Sequence, residues 1–175
     1  LQILRPKHWV KNALIFVPTL AAHQIPQGGK ISALILAFLS LSFVASAFYV
    51  VNDIVDVEAD RAHPTKQNRP IASGSLQPRQ AHALASALLV FATAIGASIG
   101  TGFLTWLAIY ALVTSIYTFR LKRVVLLDTF VLATLYSLRV VAGGTVVDIA
   151  PSFWLLATSG FLFLSLAFGK RFAEI

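Results

Sequence analysis

The residues best suited to chemistry lie together at Asn52-Asp53-Ile54-Val55-Asp56-Val57-Glu58-Ala59-Asp60, directly after an uncharged apolar run. If a helix continues through them, 100° per residue puts Asp53, Asp56 and Asp60 within about 60° of arc, with Asn52 near one edge and Glu58 on the far side. Like charges on one face repel one another, so the cluster asks for a cation. Carboxylate and amide oxygens suit Mg2+, which takes few protein ligands and completes its shell with water and phosphate oxygens. The implied substrate carries a diphosphate, and Asp53, Asp56 and Asp60 are the candidate catalytic and metal-ligating residues. The bland alternative is an acidic loop balanced by Arg61, Lys66 and Arg69. Against it, ionisable groups at the mouth of a membrane bundle are costly and usually functional.

Downstream runs His63-Pro64-Thr65-Lys66-Gln67-Asn68-Arg69-Pro70-Ile71-Ala72-Ser73-Gly74. Two prolines forbid a continuous helix and Gly74 permits a turn, so residues 63–74 form a loop able to fold back over the bundle, within an acidic and basic cytoplasmic segment of about 52–80. Lys66, as a point charge, and Arg69, as a planar fork, are candidate ligands for phosphate oxygens. His63 reads as a hydrogen-bonding loop residue.

The elements that position these groups follow from composition. Of 175 residues 57% are hydrophobic, 12% are charged and none is cysteine. Soluble domains carry about twice that charge, and the missing cysteine excludes disulfides, thiolate metal sites and a cysteine nucleophile. The net charge of +7 points to anionic lipid or phosphate. No basic face interleaved with aromatics supports nucleic-acid binding.

A spanning helix needs about 20 apolar residues. Ile31–Val51 is the clearest span. Ala83–Phe119 is long enough for two, broken at Gly100-Thr101-Gly102. A fifth runs from Val124 to Ala142, carries Asp128 and Arg139, and is expected to close at Gly143-Gly144. A sixth covers Ser152–Gly169. The first, from Lys11 to about Gln24, is short and contains Pro18, so it is expected to be tilted or kinked, or to begin earlier near Trp9, an interfacial anchor by type. All Lys and Arg except Lys30 and Arg139 fall on alternate connections, so the N-terminus and the acidic loop are expected on the cytoplasmic side of the cell membrane. The expected fold is an all-α, multi-pass bundle of about six spans forming one domain over residues 1–175, read as part of a longer protein. Arg139 is expected to snorkel outward or pair within the bundle.

The pattern N-D-x-x-D-x-x-x-D at Asn52–Asp60, followed by Arg69-Pro70-Ile71-Ala72-Ser73-Gly74, resembles the first signature of the UbiA superfamily of intramembrane prenyltransferases. Within it, Leu4-Arg5-Pro6-Lys7-His8-Trp9-Val10-Lys11-Asn12, Tyr117-Thr118-Phe119-Arg120-Leu121-Lys122-Arg123, Leu138-Arg139-Val140-Val141-Ala142-Gly143-Gly144 and Gly169-Lys170-Arg171-Phe172-Ala173-Glu174 are similar to the polyprenyl-phosphate phosphoribosyltransferase branch. Two departures stand out. The superfamily has about nine spans, and most members carry a second aspartate-rich motif where this chain has Lys170-Arg171.

The resemblance implies a Mg2+-dependent transferase whose donor is phosphoribosyl diphosphate and whose acceptor is a polyprenyl phosphate, serving cell-envelope precursor synthesis. Lys11, Asn52, Lys66, Arg69, Tyr117 and Lys122, with Lys170, become the expected substrate-binding residues. Asp128 is expected to orient Lys122 or Arg123, with ligation of a second metal as the alternative. The expected partners are the polyprenyl lipid, the diphosphate donor and the membrane, with a homo-oligomer compatible and nucleic acid absent. Transfer of a prenyl chain to an aromatic ring is the competing chemistry, and a cation-coupled transporter the competing class.

Overall fold

Segments that cannot expose amides to water close their hydrogen bonds internally. The computed structural model describes residues 2–23, 27–121 and 127–173, which are helical almost throughout and contain no strand. The α-helices are α1 (Val17–Ala21), α2 (Lys30–Val55), α3 (Val57–Ala62), α4 (Pro78–Ile99), α5 (Thr101–Phe119), α6 (Leu127–Val147) and α7 (Phe153–Ala173). Among the described residues α2, α4, α5 and α6 are long and apolar enough to cross a membrane, and they take the places of the second to fifth expected spans. The apolar stretch Phe153–Leu166 of α7 takes the place of the sixth. The protein is an integral membrane helical bundle.

The centre of the bundle is α2. Its Leu34, Ala37, Leu41, Val44, Ala47 and Val50 are buried at the three- or four-residue spacing of one helical face. Ser40 donates a 2.8 Å hydrogen bond to the Ala92 carbonyl of α4. Small side chains at such contacts let backbones approach where apolar surface alone gives no preference for protein over lipid. At the end of the bundle away from the acidic segment, Lys30 meets Asp148 at 3.2 Å. That pair is exposed, so its contribution is at most about 1 kcal/mol.

Two expectations need correction. The first span is not an α-helix throughout. Pro6–Phe16 is a 3-10 helix, and helical dihedrals at Phe16 and Val17 carry it into α1. At about 2.0 Å per residue for 3-10 and 1.5 Å for α geometry, Pro6–Ala21 reaches about 30 Å, so a short sequence covers the apolar thickness by stretching. It is pinned along its length. Trp9 Nε1 donates to Ser46 Oγ at 3.0 Å, Asn12 Nδ2 donates to Ser42 Oγ at 3.0 Å, and Ser46 Oγ donates to the Leu4 carbonyl at 2.8 Å.

The second correction concerns Gly143-Gly144, which sit inside α6 instead of closing it. A Cβ at Gly143 would overlap the backbone carbonyl of Ile15, and one at Gly144 would overlap that of Ile149. The glycines are there for close approach of backbones, not for termination. Continuity through them carries α6 past Arg139 to Val147.

Candidate functional site

The acidic segment begins in the last turn of α2. The helix stops at Val55, Asp56 adopts φ −93° and ψ 10°, and α3 resumes at Val57. The i to i−4 pattern persists across the break, because the Asp56 amide donates to the Asn52 carbonyl at 2.9 Å and the Asp60 amide to that of Asp56 at 2.8 Å. The side chains nevertheless divide into two sets.

Asp53 and Asp60 turn inward and are each 3% exposed. Asp53 Oδ1 accepts from Arg5 Nη2 at 2.6 Å and from Arg69 Nη1 at 3.1 Å. The same Arg69 nitrogen reaches Asp60 Oδ2 at 2.6 Å. Two carboxylates and two guanidinium groups therefore cancel one another, tying the N-terminal segment, α2, α3 and the loop together. The loop brings Arg69 back to the end of α2, where it is spent on the aspartates. Arg5 adopts the left-handed region with φ 49°, a conformation that costs energy for a non-glycine residue and is retained where surrounding contacts over-determine it. Its guanidinium also lies 5.1 Å from the centre of the Tyr49 ring.

Asn52 and Asp56, one turn apart, instead line a cavity of about 280 Å³ bounded by the N-terminal segment, α2, α5 and α6. Lys11 and Tyr117 line it with them, as do Arg5, Tyr49, Tyr110 and Arg139. With Arg5 already balanced by Asp53, Lys11 and Arg139 still outnumber the Asp56 carboxylate among the lining residues, so the cavity is net positive and suited to an anion. A more open cavity of about 300 Å³ adjoins it, with Asp53 and Arg69 among its lining and Arg5 shared between the two.

The arrangement separates the expected site residues. Asn52, Asp56, Lys11 and Tyr117 come together. Asp53, Asp60 and Arg69 form the ionic network beside them, and Lys66 is exposed and lines neither cavity. Among the described residues no three Asp, Glu or His side chains gather as a metal cage. The Asn52 amide and Asp56 carboxylate are hard oxygen donors facing the cavity, and they fit a Mg2+ ion that draws the rest of its shell from water and a diphosphate. Lys122 and the side chain of Lys170 lie outside the described residues, as does Arg123. Asp128 Oδ1 accepts from the Thr129 amide at 2.8 Å, and its expected partners lie outside the described residues.

Sequence reasoning missed seven polar or charged lining residues: Arg5, Tyr49, Tyr110, Thr114, Thr118, Tyr136 and Arg139. For Arg139 a signal existed, a charge within an apolar run. Tyr49 and Tyr110 are apolar in pattern and carry no such mark.

Comparisons with known proteins bear on the family and the fold. The model of the UbiA prenyltransferase family matches residues 15–174. The chain is 36% identical over 182 residues to decaprenyl-phosphate phosphoribosyltransferase of Mycolicibacterium smegmatis, covering 100% of this chain and 56% of the relative. It is 36% identical over 171 residues to nodulation protein NoeC of Azorhizobium caulinodans, covering 98% and 55%. The chain thus spans about half the length of these relatives. A UbiA homolog from Archaeoglobus fulgidus bound to DMAPP and Mg2+ superposes with a TM-score of 0.83 at 21% identity, over 95% of this chain and 60% of the other; at that identity the likeness shows the fold. With the family model matching nearly the whole chain and the fold agreeing independently, this chain belongs to the UbiA prenyltransferase family.

Proposed function

We propose that this chain carries the donor-binding part of a membrane transferase that moves 5-phosphoribose from phosphoribosyl diphosphate to a polyprenyl phosphate, in the synthesis of cell-envelope precursors. The observation that carries the reading is the net positive cavity with Asn52 and Asp56 at its lining, in a chain 36% identical to decaprenyl-phosphate phosphoribosyltransferase.

Asn52 and Asp56 would hold Mg2+, which when bound would supply positive charge to the departing diphosphate. Lys11 adds a mobile ammonium for phosphate oxygens, and Tyr117 a hydroxyl for donor phosphate or ribose. Asp53 and Asp60 act one step back: through Arg5 and Arg69 they fix the end of α2 and hence the direction of Asn52 and Asp56. An oxygen of the lipid phosphate forms the new bond to the anomeric carbon as the bond to the diphosphate oxygen breaks, and the diphosphate leaves with that electron pair. An oxocarbenium-like transition state needs no strong protein nucleophile, so positioning and electrostatics carry the rate. The distribution of Lys and Arg supports a cytoplasmic N-terminus and acidic loop.

The test is transfer by the full-length protein with labelled phosphoribosyl diphosphate and a polyprenyl phosphate, with and without Mg2+. The expected result is a Mg2+-dependent phosphoribosyl lipid. Transfer solely from a prenyl diphosphate to an aromatic acceptor would overturn the reading.

A further inference from the structure

Arg139 lies about 18 Å along α6 from Leu127 at 1.5 Å per residue, deep in a spanning helix, and is 7% exposed. Its Nε donates to Asn12 Oδ1 at 2.8 Å, Nη1 to the Leu135 carbonyl at 2.6 Å and Nη2 to the Tyr110 hydroxyl at 2.7 Å. All three acceptors are neutral, and none of the ion pairs among the described residues includes Arg139. Those bonds engage three of the five N–H donors of a guanidinium.

A second cation stands beside it. The Arg139 guanidinium is 5.4 Å from the centre of the Tyr136 ring, and Lys11 Nζ is 5.8 Å from the same centre. Both side chains line the cavity. Two like charges flanking one ring in a low-dielectric setting repel each other, and the π face offsets only part of that cost. An anion between them reverses the sign of the interaction.

We infer that Lys11, Arg139 and the Tyr110 hydroxyl form a metal-independent phosphomonoester subsite at the membrane-depth end of the cavity, distinct from the metal-holding pair Asn52 and Asp56. The inference rests on the proposed reaction. That reaction has one diphosphate, which the metal serves, and two phosphomonoesters, the 5-phosphate of the donor and the phosphate of the lipid, which have no metal of their own. A fork with donors to spare beside a mobile ammonium matches the oxygens of a phosphomonoester.

The experiment is isothermal titration of the full-length protein in lipid nanodiscs containing EDTA, with ribose 5-phosphate in one arm and geranyl phosphate in the other. One probe is expected to bind the wild type, and which one identifies the source of the phosphate. Arg139→Lys keeps the charge and loses the fork, and is expected to bind that probe about 10-fold more weakly. Arg139→Gln and Lys11→Gln lose about 100-fold or more, in line with removal of a charge-assisted hydrogen bond in a buried site. If Arg139→Gln does not fold, the lysine variant carries the test. Wild-type affinity for both probes in a folded Arg139 variant, or no binding of either probe to the wild type, overturns the subsite. Arg139-dependent binding in a protein that shows no phosphoribosyl transfer would instead uphold the subsite and remove the proposed reaction.

Discussion

Arg69 offers a sharp contrast between two roles. As a phosphate ligand it would affect donor affinity, whereas the structure makes it the bridge between Asp53 and Asp60. Replacing it by Met keeps much of the aliphatic stem and removes the charge, leaving two carboxylates that are each 3% exposed with Arg5 as the remaining ion-pair partner, and that for Asp53 alone. Removing one member of a buried ionic network costs about 3–5 kcal/mol. The Arg69 side chain is 25% exposed, which favours the lower end, about 3 kcal/mol. At about 1–2 °C per kcal/mol for a full-length protein of about twice this many residues, the apparent Tm of Arg69→Met should fall by about 3–6 °C. The assay is thermal unfolding of the nanodisc-embedded full-length protein, paired with donor KM. Adding Asp60→Asn to Arg69→Met removes one stranded charge, so the double variant should regain about 1 kcal/mol or more relative to strict additivity. A Tm within 2 °C of wild type together with a donor KM raised about 10-fold would refute the bridging role and return Arg69 to the phosphates.

Gly143→Ala places a methyl group against the Ile15 carbonyl, and because the neighbour is backbone, the cost should exceed about 2 kcal/mol, read as a lowered Tm and reduced yield in detergent. Gly160, where a Cβ meets nothing within 4 Å, provides the control: Gly160→Ala should leave Tm unchanged or slightly raised. Lys66→Gln removes an exposed charge that lines neither cavity, although its neighbour Thr65 lines the more open one, so donor KM should stay within about 2-fold of wild type.

What the sequence disclosed depended on how far each feature is decided locally. Charge-free runs with glycine or proline at their ends placed α2, α4 and α5 within a few residues, because hydrocarbon leaves an amide no alternative to the helix. The 3-10 course of Pro6–Phe16 was hidden because it is set by contacts to Ser42, Ser46 and α6, all distant in sequence. Gly143-Gly144 misled for the same reason: a glycine that admits a neighbouring backbone looks, in sequence, like one that ends a helix. The acidic face was visible from spacing, but its division was not. Asp53 and Asp60 lie within about 20° of each other and Asn52 and Asp56 within about 40° on the helical projection; which pair meets the arginines depends on where the loop carrying Arg69 returns. Arg139 was visible as a charge in an apolar run, but its role needed Asn12, Tyr110 and Tyr136 brought together by the fold.

The central claim is that the cavity mouth holds a divalent cation through Asn52 and Asp56, with Asp60 in a supporting position. Mn2+ binding followed by electron paramagnetic resonance, in full-length protein with pyrophosphate present, addresses it most directly. Asp56→Asn should weaken Mn2+–pyrophosphate binding by about 30-fold or more, consistent with losing a charged ligand, while Asp60→Asn retains affinity within about 3-fold. Retained binding in Asp56→Asn together with lost binding in a folded Asp60→Asn would contradict the account and move the metal to the carboxylates now held by Arg69.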